Sequence, residues 1–371
     1  MITLQKEPFL QAIKAVKSSC GKANLQPILS TIHLKSKNGG LILTTTDINN
    51  SARAVIEANI TEPIDVCVNA DKLDAIVSRL NDTITLNVED AYLIIKSGNA
   101  KFDVLWLNSE EYPNPDFSLT QTPIIMNADA FLSGINKTIF ATTITDGQIL
   151  SGVCLTFKKS NGFEFASTDG NRLCQVKFDV PIDIEGQFVL PRKVLLDLTK
   201  IVKNEVELHI SNNRIIFKSN NYLFASALLS GNYPQYEKFI PNNNSKKIEI
   251  NKSDLLNALE TVAIMVNEQT NVCNFSFNNN LLELTAKCNN GKSKDYVEIN
   301  SNINGEFNTA FNYRYLIEGL KAINNDTVIF EIKDGLSACI VKGENNYIQV
   351  IMPVKINTWQ NDNLIVILKS S

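Results

Sequence analysis

The chain has 371 residues, of which 44% are hydrophobic and 20% charged, and its formal net charge is −4. That length is more than one ordinary core accommodates and implies two or three domains of a globular protein. The acidic balance excludes a protein that coats nucleic acid over its whole surface, so any contact with nucleic acid must use a local basic face.

No run approaches the roughly eighteen apolar residues of a membrane helix. The start "MITLQKEPFL" lacks the basic-then-apolar pattern of a signal peptide, so no membrane association is expected. Seven cysteines are scattered along the chain, an odd number with no C-x-x-C spacing. This argues against a disulfide framework or a metal site and points to a reducing cytoplasm.

In chain order, "TLQKEPFLQAIKAV" at 3–16 reads as a short strand, a polar turn and an amphipathic helix. A hairpin-like segment follows at 40–60, then a second helix at 71–80 and two strands through "IIKSGNAKFDVLW" at 94–106. The series then starts again. "IMNADAFLSGINKT" opens a second block at 125–138, with a hairpin at 162–180, a helix at 192–201 and strands at 216–228. A third block has its helix in 249–262, a hairpin at 280–299, a second helix at 313–323 and strands at 340–352.

Phe9, Phe131 and Leu255 align at offsets of 122 and 124, as do Lys96, Lys218 and Lys342. Each block therefore reads β-α-β-β-(β)-α-β-β, a domain of about 120 residues. Asp129 and Ser253 are the expected caps of their helices. The last strands alternate cleanly, as in Phe102, Val104 and Trp106, which means sheets with one buried face. Tyr-Pro junctions in "LNSEEYPNPDF" (107–117) and "LSGNYPQYEKF" (229–239) are expected to be stiff connectors between blocks.

Residues for catalysis are hard to find. His33 and His209 lie in strand-like contexts without metal-ligand spacing, and no phosphate loop or nucleophile elbow is present. The Asp169-Gly170 step in "STDGNRL" is a turn signal, and Asp169 has no evident acid–base partner. The basic residues are more informative. Lys72 and Arg79, Lys193 and Lys200, and Arg314 and Lys321 are each seven apart in the second helices, which puts each pair on one helical face. Lys14, Lys17, Lys22, Arg192 and Lys203 add charge nearby. A repeated positive surface suits a phosphate backbone.

The triple repeat, together with "TDGNRL" (168–173), "VLPRK" (189–193), "YPQYEKFIP" (233–241) and "IMPVKI" (351–356), resembles the beta subunit family of bacterial DNA polymerase III, the sliding clamps. The resemblance implies an α+β fold of three clamp domains, each with two helices packed on antiparallel sheets. It implies a head-to-tail homodimer closed into a ring around double-stranded DNA. The domains would run 1–118, 119–244 and 245–356. It implies a non-catalytic, cytoplasmic processivity factor without cofactor or metal.

Carried over by position, the DNA-facing residues are Lys22, Lys72, Gln148, Arg192, Lys193 and Lys200. A groove for short linear motifs, often Gln-Leu-x-Leu-Phe, would be formed by Leu150, Thr168, Gly170, Asn171, Arg172, Leu173, Pro234, Lys238, Phe239, Val350, Met352, Pro353 and Val354, with Asn312 and Tyr315 at its edge. Leu173, Phe239, Val350 and Met352 would take the motif's apolar side chains, and Asn171 and Arg172 its polar part. The motif partners would be the polymerase alpha subunit, clamp loader subunits, and other polymerases and repair proteins. Lys101, Phe102 and Val104 would meet Ile264 and Met265 of a second copy at the dimer interface.

Residues 357–371, "NTWQNDNLIVILKSS", extend past the family's usual end. Two readings are open: an extra packing segment, or a tail that folds back over the groove with Gln360 and Leu364 imitating a motif. Two other functions compete with the clamp reading. One is an enzyme with a site between domains, which would need convergent titratable groups. The other is a protein-binding scaffold indifferent to DNA, which would show no salt-dependent DNA association.

Overall fold

The structure, a computed structural model, describes residues 1–21, 26–37, 39–120, 122–145, 147–211, 213–303 and 305–355. The first repeat contains β1 (Ile2–Gln5), α1 (Lys6–Lys17), β2 (Thr31–Lys37), β3 (Gly40–Thr46), β4 (Asn50–Glu57), β5 (Asn59–Ile60), β6 (Asp65–Asn69), α2 (Ala70–Arg79), β7 (Thr83–Glu89), β8 (Tyr92–Ser97) and β9 (Ala100–Asn108). The second contains β10 (Ile124–Asn127), α3 (Ala128–Asn136), β11 (Gly152–Lys158), β12 (Gly162–Thr168), β13 (Arg172–Phe178), β14 (Gly186–Pro191), α4 (Arg192–Leu198), β15 (Glu205–Ser211), β16 (Arg214–Ser219) and β17 (Tyr222–Ala227). The third contains β18 (Lys246–Asn251), α5 (Lys252–Ala263), β19 (Val272–Asn278), β20 (Leu281–Cys288), β21 (Gly291–Ser301), β22 (Glu306–Asn312), α6 (Tyr313–Ala322), β23 (Thr327–Ile332), β24 (Cys339–Glu344) and β25 (Tyr347–Ile351).

Two helices per repeat agree with the sequence reading, but the strands outnumber it. Among the additional strands, β2 forms a hairpin with the adjacent β3 and also pairs with β6, whose own partners β2 and β9 lie about 30 to 40 residues away in sequence. None of the described helices is long and apolar enough to cross a membrane.

The chain divides into two compact units, Met1–Leu132 with Pro191–Leu229, and Ser133–Leu190 with the residues from Ser230 on. The division runs through the middle repeat. In the first unit, one antiparallel sheet has the order β10-β15-β16-β17-β4-β3-β2-β6-β9-β8-β7-β1-β5. In the second, the order is β14-β11-β12-β13-β25-β24-β23-β18-β21-β20-β19-β22. Successive repeats are therefore joined by main-chain ladders. Tyr222↔Ala54 through Ser226↔Asn50 link β17 to β4, and Arg172↔Ile351 through Val176↔Tyr347 link β13 to β25.

The aligned apolar positions Phe9, Phe131 and Leu255 are all fully buried. Phe131 packs on Phe217 with ring centres 5.9 Å apart. The helix caps differ from expectation. The Asn127 side chain accepts from the Asp129 and Ala130 amides, and Asn251 accepts from those of Ser253 and Asp254. The last strand residue, two positions before Asp129 or Ser253, is the one whose side chain reaches the free amides of the first turn. Asn69 and Asn312 play the same part for α2 and α6. α4 also departs from expectation: it ends at Leu198, so Lys200 lies in the following turn and does not share a helical face with Lys193. The chain leaves this helix early to reach β15, passing Asn204 at a left-handed φ of 63°.

Each Tyr-Pro junction is pinned by its tyrosine. The buried Tyr112 donates to the Thr44 carbonyl at 3.3 Å, and the hydroxyl of buried Tyr233 accepts from the Thr168 amide at 3.2 Å. The turns that align with each other, at Asp47 and Asp169, are both closed by the carboxylate. Asp47 accepts from the Asn50 amide at 2.7 Å, and Asp169 accepts from those of Asn171 and Arg172 at 3.0 and 3.2 Å. These bonds give the aspartates a structural role. Gly170 stands at φ 90°, and its counterpart Ile48 is held at φ 80°.

Candidate functional site

The β13–β25 ladder sets Leu173 opposite Val350, and both are almost fully buried. Beyond the ladder, the Met352 amide donates to the Asn171 carbonyl at 2.9 Å, carrying the chain along the Asp169 turn. Tyr233, held to Thr168, brings Pro234 alongside, and a 3-10 turn at Tyr236–Phe239 follows. Another 3-10 turn, Ile149–Ser151, supplies Leu150. Together these form a mainly apolar recess of about 210 Å³ lined by Leu150, Thr168, Gly170, Asn171, Arg172, Leu173, Pro234, Phe239, Val350 and Met352. Leu173 and Val350 are thus core residues and recess wall at once, while Phe239 is 65% and Met352 48% exposed at the mouth. Exposed apolar side chains around a concavity favour an apolar ligand.

Arg172 lines this recess, but its guanidinium is already committed within the chain. Nε donates to Asp169 at 3.0 Å, and the other nitrogens donate to Glu318 and to the Phe140 carbonyl. The Tyr315 ring lies beneath it at 4.2 Å. Burial is the largest influence and works against its charge, but the bond to Glu318 and the negative charges of Glu318 and Asp169 together outweigh it and hold the proton more firmly than usual. Arg172 therefore acts as a brace for the recess and is not a free donor. Asn171 remains exposed.

The other five expected groove residues are not among those lining the recess. Asn312 caps α6, Tyr315 supports Arg172, and Lys238 is exposed. The Val354 amide donates to the Ala310 carbonyl at 2.8 Å, which fixes the chain beside the half-buried Pro353. Glu318 was missed because nothing in the sequence links it to an arginine 146 residues away.

The expected basic face is uneven. Lys72 is exposed on α2 and Arg192 is half-buried at the start of α4. Lys193 is paired with Asp47 at 2.5 Å and Lys200 with Asp197 at 3.2 Å, which offsets part of their charge. In the third repeat Lys321 bridges Glu260 at 2.9 Å. Gln148 is exposed, and Lys22 lies outside the described residues, as do Ile356 and the tail 357–371.

Among the described residues, β9 and β21 each leave a stretch of strand edge without a ladder, besides the strands at the ends of each sheet. β9 pairs with β8 from Ala100 to Leu105 but reaches β6 only at Trp106–Asn108. β21 pairs with β20 over Gly291–Glu298 and with β18 only at Ile299–Ser301. Phe102 is 37% exposed on β9, Val104 is half-buried, and Lys101 bridges Asp103 at 3.2 Å. Ile264, 77% exposed, and half-buried Met265 follow α5. The β9 edge carries exposed Phe102 and Leu105, whereas the unpaired stretch of β21 is mostly polar, and a strand edge left open is protected when it pairs with another chain.

Three family profiles match the chain in succession: the N-terminal, central and C-terminal domains of the DNA polymerase III beta subunit, at residues 1–116, 125–235 and 237–355. The beta sliding clamp of Synechococcus elongatus is 28% identical over 351 residues, covering 90% of this chain and 93% of the relative. That of Bacillus subtilis is 26% identical over 387 residues, covering 95% and 99%. Among solved structures, the griselimycin-bound sliding clamp of Pseudomonas aeruginosa superposes with a TM-score of 0.88 at 25% identity, covering 95% of this chain and 99% of that one. The sliding clamp of Bacillus subtilis superposes with a TM-score of 0.87 at 25% identity, covering 96% and 99%. With three consecutive clamp domains in sequence and the matching α+β fold in space, the chain belongs to the DNA polymerase III beta subunit family, the sliding clamps that serve as processivity factors in DNA replication.

Proposed function

We propose that two copies of this chain close head to tail around duplex DNA in the cytoplasm and tether other proteins to it, without catalysis of their own. The domains of the working ring are 1–118, 119–244 and 245–356, followed by a tail at 357–371. The open edges of β9 and β21, with Phe102, Val104, Ile264 and Met265 nearby, join the copies. Persistence on DNA comes from topology, because phosphate contacts alone give a Kd of only ~10⁻⁴–10⁻⁶ M at physiological salt. The partners are the polymerase alpha subunit, clamp loader subunits, and other polymerases and repair proteins, each carrying a short linear motif.

The observation that carries the reading is the apolar recess over the Leu173–Val350 pair, open at Phe239 and Met352. It suits two apolar side chains of an extended peptide. The test is fluorescence anisotropy with a labelled Gln-Leu-x-Leu-Phe peptide. Saturable binding that weakens at least about fivefold in Met352→Ala is expected, since a central anchor is worth more than ~1 kcal/mol. Equal binding by Met352→Ala overturns the assignment of the recess.

A further inference from the structure

The β4–β17 and β13–β25 seams are built alike. At the second, the Met352 amide bonds to the Asn171 carbonyl, and at the first the Ala227 amide bonds to that of Asn49 at 3.2 Å. Ser51 lies opposite Ala225 as Leu173 lies opposite Val350. Ile216 flanks Ala225 as Ile340 flanks Val350. The recess over Leu173 and Val350 therefore has a counterpart over Ser51 and Ala225.

That counterpart is full. Phe117 is buried and packs with Ala225, Ile216 and Leu223. The Arg53 guanidinium covers its ring, with 4.2 Å from the guanidinium carbon to the ring centre. Arg53 Nε is buried without a hydrogen-bond partner among the described residues, which leaves the guanidinium resting on the ring face. A partly desolvated cation over an aromatic face is a favourable contact. Three residues on, the Thr120 hydroxyl meets the His209 ring at 3.1 Å and holds the segment down beyond Phe117.

In the later Tyr-Pro segment the corresponding residue is Phe239, at the same offset of 122 that separates Asp47 from Asp169. It is exposed. Two exchanges account for the difference. Leu173 and Val350 fill volume that Ser51 and Ala225 leave free for a ring. Gln175 stands where the first seam has Arg53 and donates to Glu164 at 3.3 Å, so no cation is placed to cover Phe239.

We infer that the β4–β17 seam is a second apolar binding site whose occupant is the chain's own Phe117, and that with this ring removed it takes an aromatic side chain of an extended peptide beneath Arg53. This rests on the reading of the β13–β25 recess as a peptide site. An occupant carried on the same chain competes at an effective concentration on the order of millimolar, which keeps more dilute peptides out. Phe117 thus decides which seam of the chain a partner can enter.

The test is calorimetric titration of full-length variants with a Gln-Leu-x-Leu-Phe peptide, counting peptides bound per chain, with a thermal melt of each variant. The parent is expected to bind one. Phe117→Ala is expected to bind two, since an apolar cavity accepts an apolar guest. The added site is expected to persist when Met352→Ala is combined with Phe117→Ala, and to be lost when the peptide's Phe is replaced by Ala. Phe117→Leu keeps the seam filled and is expected to bind one. If Phe117→Ala does not melt cooperatively, Ser51→Leu/Ala225→Val takes its place in the decision. It installs the walls of the second seam and is expected to expel Phe117 and bind two. A cooperatively melting Phe117→Ala that still binds one peptide overturns the inference and leaves the β13–β25 reading standing. Two peptides bound by Phe117→Leu overturn the role of Phe117 as occupant. A parent that binds none removes the β13–β25 reading, and this inference with it.

Discussion

The Tyr315 ring supports the Arg172 guanidinium from below, with 4.2 Å between the guanidinium carbon and the ring centre. Glu318, one helical turn further along α6, takes one end of the same guanidinium, and Asp169 and the Phe140 carbonyl take the rest. Arg172→Lys keeps the charge but loses the planar fork and the stacking. It is expected to lower unfolding stability by about 1–3 kcal/mol, since hydrogen bonds to charged groups are removed from a buried site. Urea denaturation of the two proteins checks this. An unchanged midpoint would show that the brace contributes nothing.

Phe239 offers the opposite case. It is 65% exposed, so Phe239→Ala costs little stability. As it stands at the mouth of the recess, the same change is expected to weaken a motif peptide by more than about fivefold. A thermal melt and a peptide titration on one preparation separate the two effects. A lowered melting temperature with unaltered affinity would contradict the expectation on both counts.

Ile48 is a β-branched residue held at φ 80° and 67% exposed, where the aligned turn has Gly170. Left-handed backbone costs a non-glycine residue about 1–2 kcal/mol. Its side chain is mostly outside the core, so little packing offsets that cost. Ile48→Gly is therefore expected to stabilise the protein by about 1 kcal/mol, less a few tenths for the added freedom of the unfolded chain. The reverse change, Gly170→Ile, is expected to destabilise by a similar amount. Equilibrium denaturation of both variants decides, and a loss of stability in Ile48→Gly would show that the side chain makes contacts worth more than the strain.

Asp65 accepts from Lys35 and His33, each at 2.6 Å. Burial raises its pKa, but these bonds and one from Ser109 outweigh it and hold the carboxyl down at about 2, against an ordinary 3.8. A depressed carboxyl pKa stabilises the fold above the unfolded value, and that contribution disappears as pH falls from about 4 towards 2. Asp65→Asn is expected to lower the denaturation midpoint at neutral pH, with the difference from the parent shrinking at pH 3 and below. The group is 41% exposed, so the effect should be modest and reduced by salt. A difference that grows on acidification would rule out the linkage.

Much of this was legible because it is periodic or local. Phe9, Phe131 and Leu255 recur at near-constant spacing because each must fill the same place in a repeated core. The expected alternation of the last strands is lost in β17, where Phe224, Ala225 and Ser226 are all buried. The recess was reached by family motifs, and ten of its expected residues line one cavity. What stayed hidden depends on partners far away in sequence. Lys193 reads as a free basic residue until Asp47, 146 positions earlier, is found beside it. The bracing of Arg172 is concealed in the same way. The asparagine caps were missed for a different reason: each belongs by pattern to the strand, and only the geometry of the following amides shows its second role.

The β4–β17 and β13–β25 ladders separate covalent succession from mechanical attachment. Each repeat is held to the next by paired main chains, and the Tyr-Pro segments merely run between them. A chain cleaved between Pro113 and Pro123 would consequently keep its first and second repeats zipped together as a non-covalent pair. Two separately expressed fragments would have a ready-made strand edge at which to find each other, and the same edges make any single repeat, produced alone, prone to polymerise.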